Sequence, residues 1–387
     1  MQVEEEARGL GLFATADDIA IERGIAEFQA GRPVAVAHAD DMIVALPVDG
    51  MTEASCTAFR ALCRPARLRL AVTARRARMI GLDVPGPVLI AITPQDTRDT
   101  VWSLAAGLDC ERRPAAGAAG EATCRAIELA KLAQRLPALL VAEGTALSPD
   151  VFAPLLAVRA AAIPEFRARI LQTLEIVSEA RIPLPDGVAA RFCVFRDAVG
   201  GSPVAIILGE PDLSAPVNVR VHSACLTGDV FGSRRCDCGA QLKLAVTQLS
   251  ESGGGVVLYL EQEGRGLGLA NKMRAYAFQD DGLDTVDANM MLGFDDDERH
   301  YGVAARMLKM IGVARVVLFT NNPGKLEALS DGGVEVCARI PLHTEINPDN
   351  RRYLATKAAR AGHWLDDMLE QPGGVPERDA VGTRGGG

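Results

Sequence analysis

Cys225, Cys236 and Cys238 fall within the run Cys-Leu-Thr-Gly-Asp-Val-Phe-Gly-Ser-Arg-Arg-Cys-Asp-Cys-Gly, with no fourth Cys or His close downstream. A structural zinc site is closed by four protein ligands, whereas a catalytic one takes three and keeps a position for water. Three thiols in a glycine-containing loop therefore read as an open zinc site. Zinc held there would lower the pKa of a coordinated water towards neutrality and supply hydroxide, which points to metal-assisted hydrolysis. Three unrelated free thiols, or a structural site closed by a residue distant in sequence, are the competing readings.

Other residue groups suit the same chemistry. Arg220, Arg234, Arg235, Arg265, Lys272 and Arg274 form a cluster of cations that fits an anionic small substrate or, equally, a solvated basic face. The segment Glu261-Gln-Glu-Gly-Arg-Gly-Leu-Gly-Leu lies between an apolar run and a helical pattern. Glycines let backbone approach a phosphate, and a helix N-terminus favours an anion. It lacks the Lys-Ser/Thr of a P-loop and is not the dinucleotide fingerprint. Thr320-Asn-Asn-Pro-Gly-Lys follows a buried strand, where ligands gather in open α/β sheets. There Thr320 suits a base or phosphate and Lys325 a phosphate, although the same residues also make a good turn. In Asp295-Asp-Asp-Glu-Arg-His-Tyr, the helix dipole accounts for Asp295 and Asp296. Asp297 beside Arg299 is how a proton acceptor is tuned and a phosphoryl group gripped.

The elements that must position these groups alternate along the chain. Its 387 residues suffice for two domains, and 48% apolar with 24% charged residues are globular values. A net charge of −9 argues against a nucleic-acid surface. No stretch reaches the length of a membrane span, Met1 to Arg8 lacks the apolar region of a signal peptide, and nine cysteines are too sparse for a disulfide scaffold. These features predict a cytoplasmic protein with reduced thiols. Residues 1–16 read as a loose leader, followed by a helix from about Asp17 and a strand over Val34 to Ala37. Short apolar runs and helical patterns continue to Glu143. A domain joint is predicted between Leu147 and Pro164, then an apolar helix over Phe166 to Ala180. Further on, strands are predicted over Val217–Val221, Gly255–Leu260 and Val316–Phe319. Helices are predicted over Ala240–Ser250, Leu269–Gln279, Glu298–Ile311 and Gly324–Leu329. Gln371 to Gly387, rich in Gly and Pro, reads as a disordered tail (371–387). The fold class is α/β (α+β) in two domains, 17–150 and 170–368.

The strings Arg220-Val-His-Ser-Ala-Cys-Leu-Thr-Gly-Asp, Cys236-Asp-Cys-Gly, Gln262-Glu-Gly-Arg-Gly-Leu-Gly-Leu, Asp284-Thr-Val-Asp-Ala-Asn, Asp297-Glu-Arg and Thr320-Asn-Asn-Pro together resemble GTP cyclohydrolase II, the first enzyme of riboflavin synthesis. The resemblance runs from about Ile170 to Leu365. It implies that Cys225, Cys236 and Cys238 hold Zn²⁺. It implies a GTP site made of Arg220, Val221, His222, Ser223, Gln241, Glu263, Gly264, Arg265, Thr285, Thr320 and Lys325. Asp297 would be the proton acceptor, Arg299 the group acting at the α-phosphate, and Tyr276 a neighbour of the zinc water. The implied reaction opens the imidazole ring of GTP at C8. It releases formate, and pyrophosphate with Mg²⁺, leaving 2,5-diamino-6-ribosylamino-4(3H)-pyrimidinone 5′-phosphate. Family members are commonly homodimers. No nucleic acid or membrane partner is implied.

Two positions depart from the family pattern. Ala224 stands where a glutamate is usual, which removes a polar contact beside a zinc ligand, and His300 stands where Asp is frequent. Ala224 keeps open a relative that acts on another nucleotide, and a nucleotide-binding regulatory subunit is the non-enzymatic alternative. The first half more faintly resembles 3,4-dihydroxy-2-butanone-4-phosphate synthase, through Gly31-Arg-Pro-Val-Ala-Val, Met51-Thr-Glu, Ala119-Gly-Glu-Ala-Thr and Leu129-Ala-Lys-Leu-Ala. That enzyme needs a dense acidic motif for Mg²⁺, whereas the corresponding stretch here is His38-Ala-Asp-Asp-Met-Ile-Val-Ala-Leu-Pro, with Asp40 and Asp41 its only carboxylates. The expectation is an inactive domain with a packing or dimer role.

Overall fold

The computed structural model describes residues 14–365 apart from 40, 109, 111–113, 145, 146 and 148. The expected tail, the end of the second domain and most of the expected leader lie outside the described residues. The chain forms two seven-stranded sheets.

The first sheet contains β1 (Val34–His38), β2 (Asp41–Pro47), β3 (Leu68–Val72), β4 (Val88–Ala91), β5 (Ala116–Ala118), β6 (Ala138–Glu143) and β7 (Ala157–Arg159), in the order β5-β4-β3-β6-β2-β1-β7. Every neighbouring pair is antiparallel except β1 with β7. Antiparallel strands usually alternate apolar and polar residues, yet β2 and β6 are apolar almost throughout. The reason is that both faces are covered. Leu68, Leu70, Val72, Leu140 and Val44 point to one core, while Ala71, Leu139, Val141 and Ala45 point to another, as strand alternation dictates. The second core is closed by the helices Ala16–Gln29, Glu121–Leu132 and Ala162–Ile170, through Phe28, Leu129 and Phe166. The first core takes part of its cover from the other half of the chain, through Leu267, Ala275, Ala288, Leu292 and Phe294.

The second sheet contains β8 (Glu175–Pro183), β9 (Ala189–Arg196), β10 (Val204–Leu208), β11 (Val217–Ser223), β12 (Gly255–Leu260), β13 (Arg315–Phe319) and β14 (Glu335–Ile340), in the order β14-β13-β11-β12-β10-β9-β8. One half, β12-β11-β13-β14, is parallel, and the other is an antiparallel meander. The carboxyl ends of β11, β12 and β13 therefore lie side by side, so the loops leaving Ser223, Leu260 and Phe319 converge.

Three expectations need correction. The apolar helix over Phe166 to Ala180 ends at Ile170, and the chain continues through a turn at Leu171–Thr173 into β8. Phe166, Ile170 and Leu174 have helical spacing, but pairing with β9 overrides it, and the charges of β8 face solvent on a sheet edge. The expected joint at 147–164 falls inside the first sheet's territory, because β7 pairs with β1 and the Ala162–Ile170 helix packs beneath it. The helix expected from Glu298 begins at Gly302, which leaves 295–301 as an irregular loop that bends at Asp296 and turns at Tyr301.

A buried cation bolts the halves together. Arg76 is 1% exposed, and its guanidinium donates to Leu104 O (2.8 Å), Ser103 O (2.6 Å), Gly107 O (2.9 Å) and, across the junction, Met291 O (3.1 Å). Burial lowers its pKa to about 10, so it stays charged near neutrality. Arg76→Met strands four carbonyls, and unfolding in urea is expected to show a loss of about 3 kcal/mol.

Candidate active site and metal centre

The loop after β11 places the first thiol. Cys225 N donates to Asp229 Oδ2 (2.9 Å), and Leu226–Val230 forms one π-helical turn that brings the chain back towards Cys236 and Cys238. Cys238 is the first residue of the helix Cys238–Glu251. The three sulfurs lie within 4.8 Å of one another, and Cys225 and Cys236 are 3.7 Å apart. Gly228 makes this convergence possible: a Cβ there would stand 2.9 Å from Cys236 Sγ and 3.0 Å from Cys225 Sγ. Hydrogen bonds from Cys236 and Cys238, and then the Lys272 ammonium, hold the Cys225 thiol far below its ordinary value. Donation to Cys225 pushes Cys236 up to about 11 and also raises Cys238 well above its ordinary value. A cation that accepts three thiolates relieves that frustration. The donor set and its spacing fit zinc, and among the described residues no fourth Cys, His, Asp or Glu closes the group.

Lys272 Nζ lies 3.1 Å from Cys225 Sγ, 3.0 Å from Thr227 Oγ1 and 2.7 Å from Glu263 Oε1. Glu263 Oε2 accepts from Leu226 N (2.6 Å), which ties the glycine-rich turn after β12 to the cysteine loop. His222 Nε2 faces both oxygens of Asp229 at 3.2 Å, and Tyr259 donates to the same carboxylate (2.9 Å). Burial holds His222 below its usual pKa, against the pull of Asp229.

Two cavities meet here. The first, of about 80 Å³, is lined by the three cysteines together with Ser223, Glu263, Gly264, Arg265, Tyr276, Thr285 and Arg299. The second, of about 60 Å³, is lined by Arg220, His222, Ser223, Gln241, Thr320, Lys325 and Arg299. Ser223, Cys238, Arg299 and Tyr353 belong to both. Arg234, Arg235 and Arg274 of the basic cluster line neither cavity and pair instead with Asp349, Asp280 and Asp49. Of the residues that the resemblance assigns to the site, two lie outside both linings. Val221 is fully buried in the core, and only its carbonyl, which accepts from Lys325 Nζ (2.8 Å), faces the site. Asp297 reaches the site through Arg299, whose Nε and Nη2 donate to its two oxygens at 2.8 and 2.5 Å. Burial raises the Asp297 pKa, but Arg299 outweighs it and the net shift is downward. Ala224 lines the first cavity with no polar group.

The electrostatics of the second cavity are lopsided. Burial lowers Arg220 to about 10, partly offset by Asp237. Burial, then Arg220 and Arg299, push Lys325 well below its ordinary range. The carboxylates nearby are already engaged, Asp237 with Lys357 (2.9 Å) and Asp297 with Arg299. Such a pocket is stabilised by a polyanion. In the first cavity, Arg265 Nη2 and Asn289 Nδ2 are buried donors without partners.

Sequence reasoning missed Asn289, Tyr353 and Lys357, and left Lys272 only as one of a basic cluster. Tyr353 and Lys357 come from the helix Arg351–Ala361, where their i, i+4 spacing is the single signal that both share a face.

A family model described as GTP cyclohydrolase II matches residues 175–341. A protein named GTP cyclohydrolase-2 from Azospirillum brasilense is 41% identical over 365 residues, covering 89% of this chain and 94% of that one. Another of that name, from Xylella fastidiosa strain Temecula1, is 41% identical over 359 residues, 92% of this chain and 89% of its own. The namesake from Azotobacter vinelandii is half as long a match, 49% identical over 192 residues, 50% of this chain and 92% of its own. With identity of this extent on both sides of the junction, and with the thiol cluster and cation pocket in place, the chain belongs to the GTP cyclohydrolase II family.

Proposed function

We propose that this protein hydrolytically opens the imidazole ring of GTP. Formate and pyrophosphate leave, and 2,5-diamino-6-ribosylamino-4(3H)-pyrimidinone 5′-phosphate remains, as the first step of riboflavin synthesis. The observation that carries the reading is the join between a three-thiol cavity and a cation pocket that has no free anion. Guanine C8 belongs by the thiols and the triphosphate by the cations.

Cys225, Cys236 and Cys238 would hold Zn²⁺, which when bound supplies a water activated near neutral pH. Arg220, Thr320, Lys325 and Arg299 hold the phosphates, with Mg²⁺ accompanying the pyrophosphate as part of the substrate. Glu263, Arg265, Gln241 and Thr285 orient the nucleoside, and the partnerless donors of Arg265 and Asn289 suit the acceptor edge of a purine. Arg299 acts at the α-phosphate. Asp297, held ionised by Arg299, accepts a proton at a carboxylate oxygen. Tyr276, whose hydroxyl burial keeps protonated, stands beside the thiols as a donor. The resemblance carries with it a cytoplasmic homodimer. No helix among the described residues is long and apolar enough to cross a membrane. The first half is read as having lost synthase chemistry, from the sparse carboxylates of its 38–47 stretch.

The test incubates zinc-replete protein and Mg²⁺ with GTP and, separately, with other nucleotides. Stoichiometric formate and pyrophosphate from GTP are expected. Activity confined to a different nucleotide would move the substrate, and tight GTP binding without either product would make the protein a regulator.

A further inference from the structure

The loop 295–300 is gripped from the first half of the chain at three points. Asp295 accepts from Arg75 Nε (2.8 Å) and lies 3.5 Å from Lys131 Nζ. Glu298 accepts from Lys131 Nζ at 2.5 Å and also from Asp295 N (2.9 Å). His300 meets Arg167. Asp297 and Arg299, which lie between these anchors, pair with each other at the site.

The opposite side of the segment rests on the glycine-rich turn. Glu298 N donates to Arg265 O (3.0 Å), Arg265 Nη1 to Asp296 O (3.2 Å), and Gln262 Nε2 to His300 O (2.7 Å). Gly266 (φ 91°) lies so close that a Cβ would stand 2.9 Å from Glu298 C. The segment is thus clamped between a substrate-side turn and a row of cations from the other half. Lys131 and Glu298 are the most enclosed pair, with side chains 18% and 11% exposed. Lys131 also sits near the end of the Glu121–Leu132 helix, whose opposite face is locked into the second core, so it is a rigid anchor.

We propose that Lys131, assisted by Arg75, is a positioning residue for the Asp297–Arg299 pair, so that the first half of the chain sets the geometry of a site to which it contributes no ligand. The proposal rests on the reading that this pair serves the GTP reaction. A partly buried ion pair that loses one member leaves the other uncompensated, and the segment bearing it relaxes. Misplacement of about 1 Å costs up to about 10²-fold in rate.

The test uses the full chain. Lys131→Met is expected to lower kcat about 10- to 100-fold, with KM for GTP within about twofold of the parent and zinc content unchanged. Lys131→Arg, which keeps the cation, should recover most of that loss. Arg125→Met on the same helix removes pairs with Glu121 and Glu128 that stay within the first half, and should leave kcat unaltered. Amide hydrogen exchange gives a readout independent of turnover: Lys131→Met should speed exchange at 295–300 and leave β11 and β12 protected. Unchanged exchange there, or wild-type kcat in Lys131→Met, overturns the proposal. If the parent releases no formate, the reaction reading fails, and the exchange result still decides whether the first half holds this segment.

Discussion

Serine in place of Cys236 is expected to bring formate release to background and bound metal from about one per chain towards zero. Cys236 is 8% exposed and touches Cys225 across 3.7 Å, so its sulfur has no role at the surface to confuse the result. A serine hydroxyl is a hard, weakly acidic donor that does not replace a thiolate on zinc, and two remaining thiolates hold the ion poorly. Serine is close to cysteine in size, so the surrounding fold is expected to survive. Elemental analysis and a formate assay on the same preparation decide the matter. A variant that keeps its metal and its rate would remove these thiols from the chemistry.

The second large effect is expected from Arg299→Ala, which should lower kcat/KM for GTP by about 10³-fold. Arg299 faces both cavities and is bidentate to Asp297. Its loss removes a fixed cation and leaves an unpaired carboxylate, which on the proposed reading would repel the phosphates of the substrate. The pH dependence gives an independent check. Burial raises the Asp297 pKa and Arg299 overrides it downward. The ionised acceptor therefore persists well into acid in the parent, and activity is lost only as pH falls through that depressed value. Without the Arg299 guanidinium, burial is opposed only by the backbone N–H of residue 299 and by Arg265, and the acid limb of kcat/KM moves to higher pH. An acid limb that stays put would take Asp297 out of the proton-transfer role. Arg299→Lys should recover little, because one ammonium does not match the two-oxygen geometry of Asp297.

The site was legible from sequence where its chemistry is local. The cysteine loop, the turn after β12 and the Thr320 turn each carry their signal within a few residues, and each follows a strand whose apolar run was plain. What escaped depends on contacts across the chain. The stretch from Glu298 looks helical because the acids before it suit a helix start, yet Arg75, Lys131 and Arg167 hold 295–300 as a loop. β8 looks helical by its apolar spacing until β9 claims it. Tyr353 and Lys357 read as ordinary helix-surface residues, and only folding lays them over the thiols and cations. Strand direction in the first sheet was equally hidden, since helices alternate with strands while every neighbouring pair but β1 with β7 runs antiparallel.

Leu267, Ala275, Ala288, Leu292 and Phe294 pack into the core of the first sheet rather than that of their own. Severing the chain near Leu171 would therefore bare an oily flank on each fragment and invite clumping. Heating should dismantle the whole molecule in one cooperative step, with no interval in which the nucleotide-binding portion stands alone.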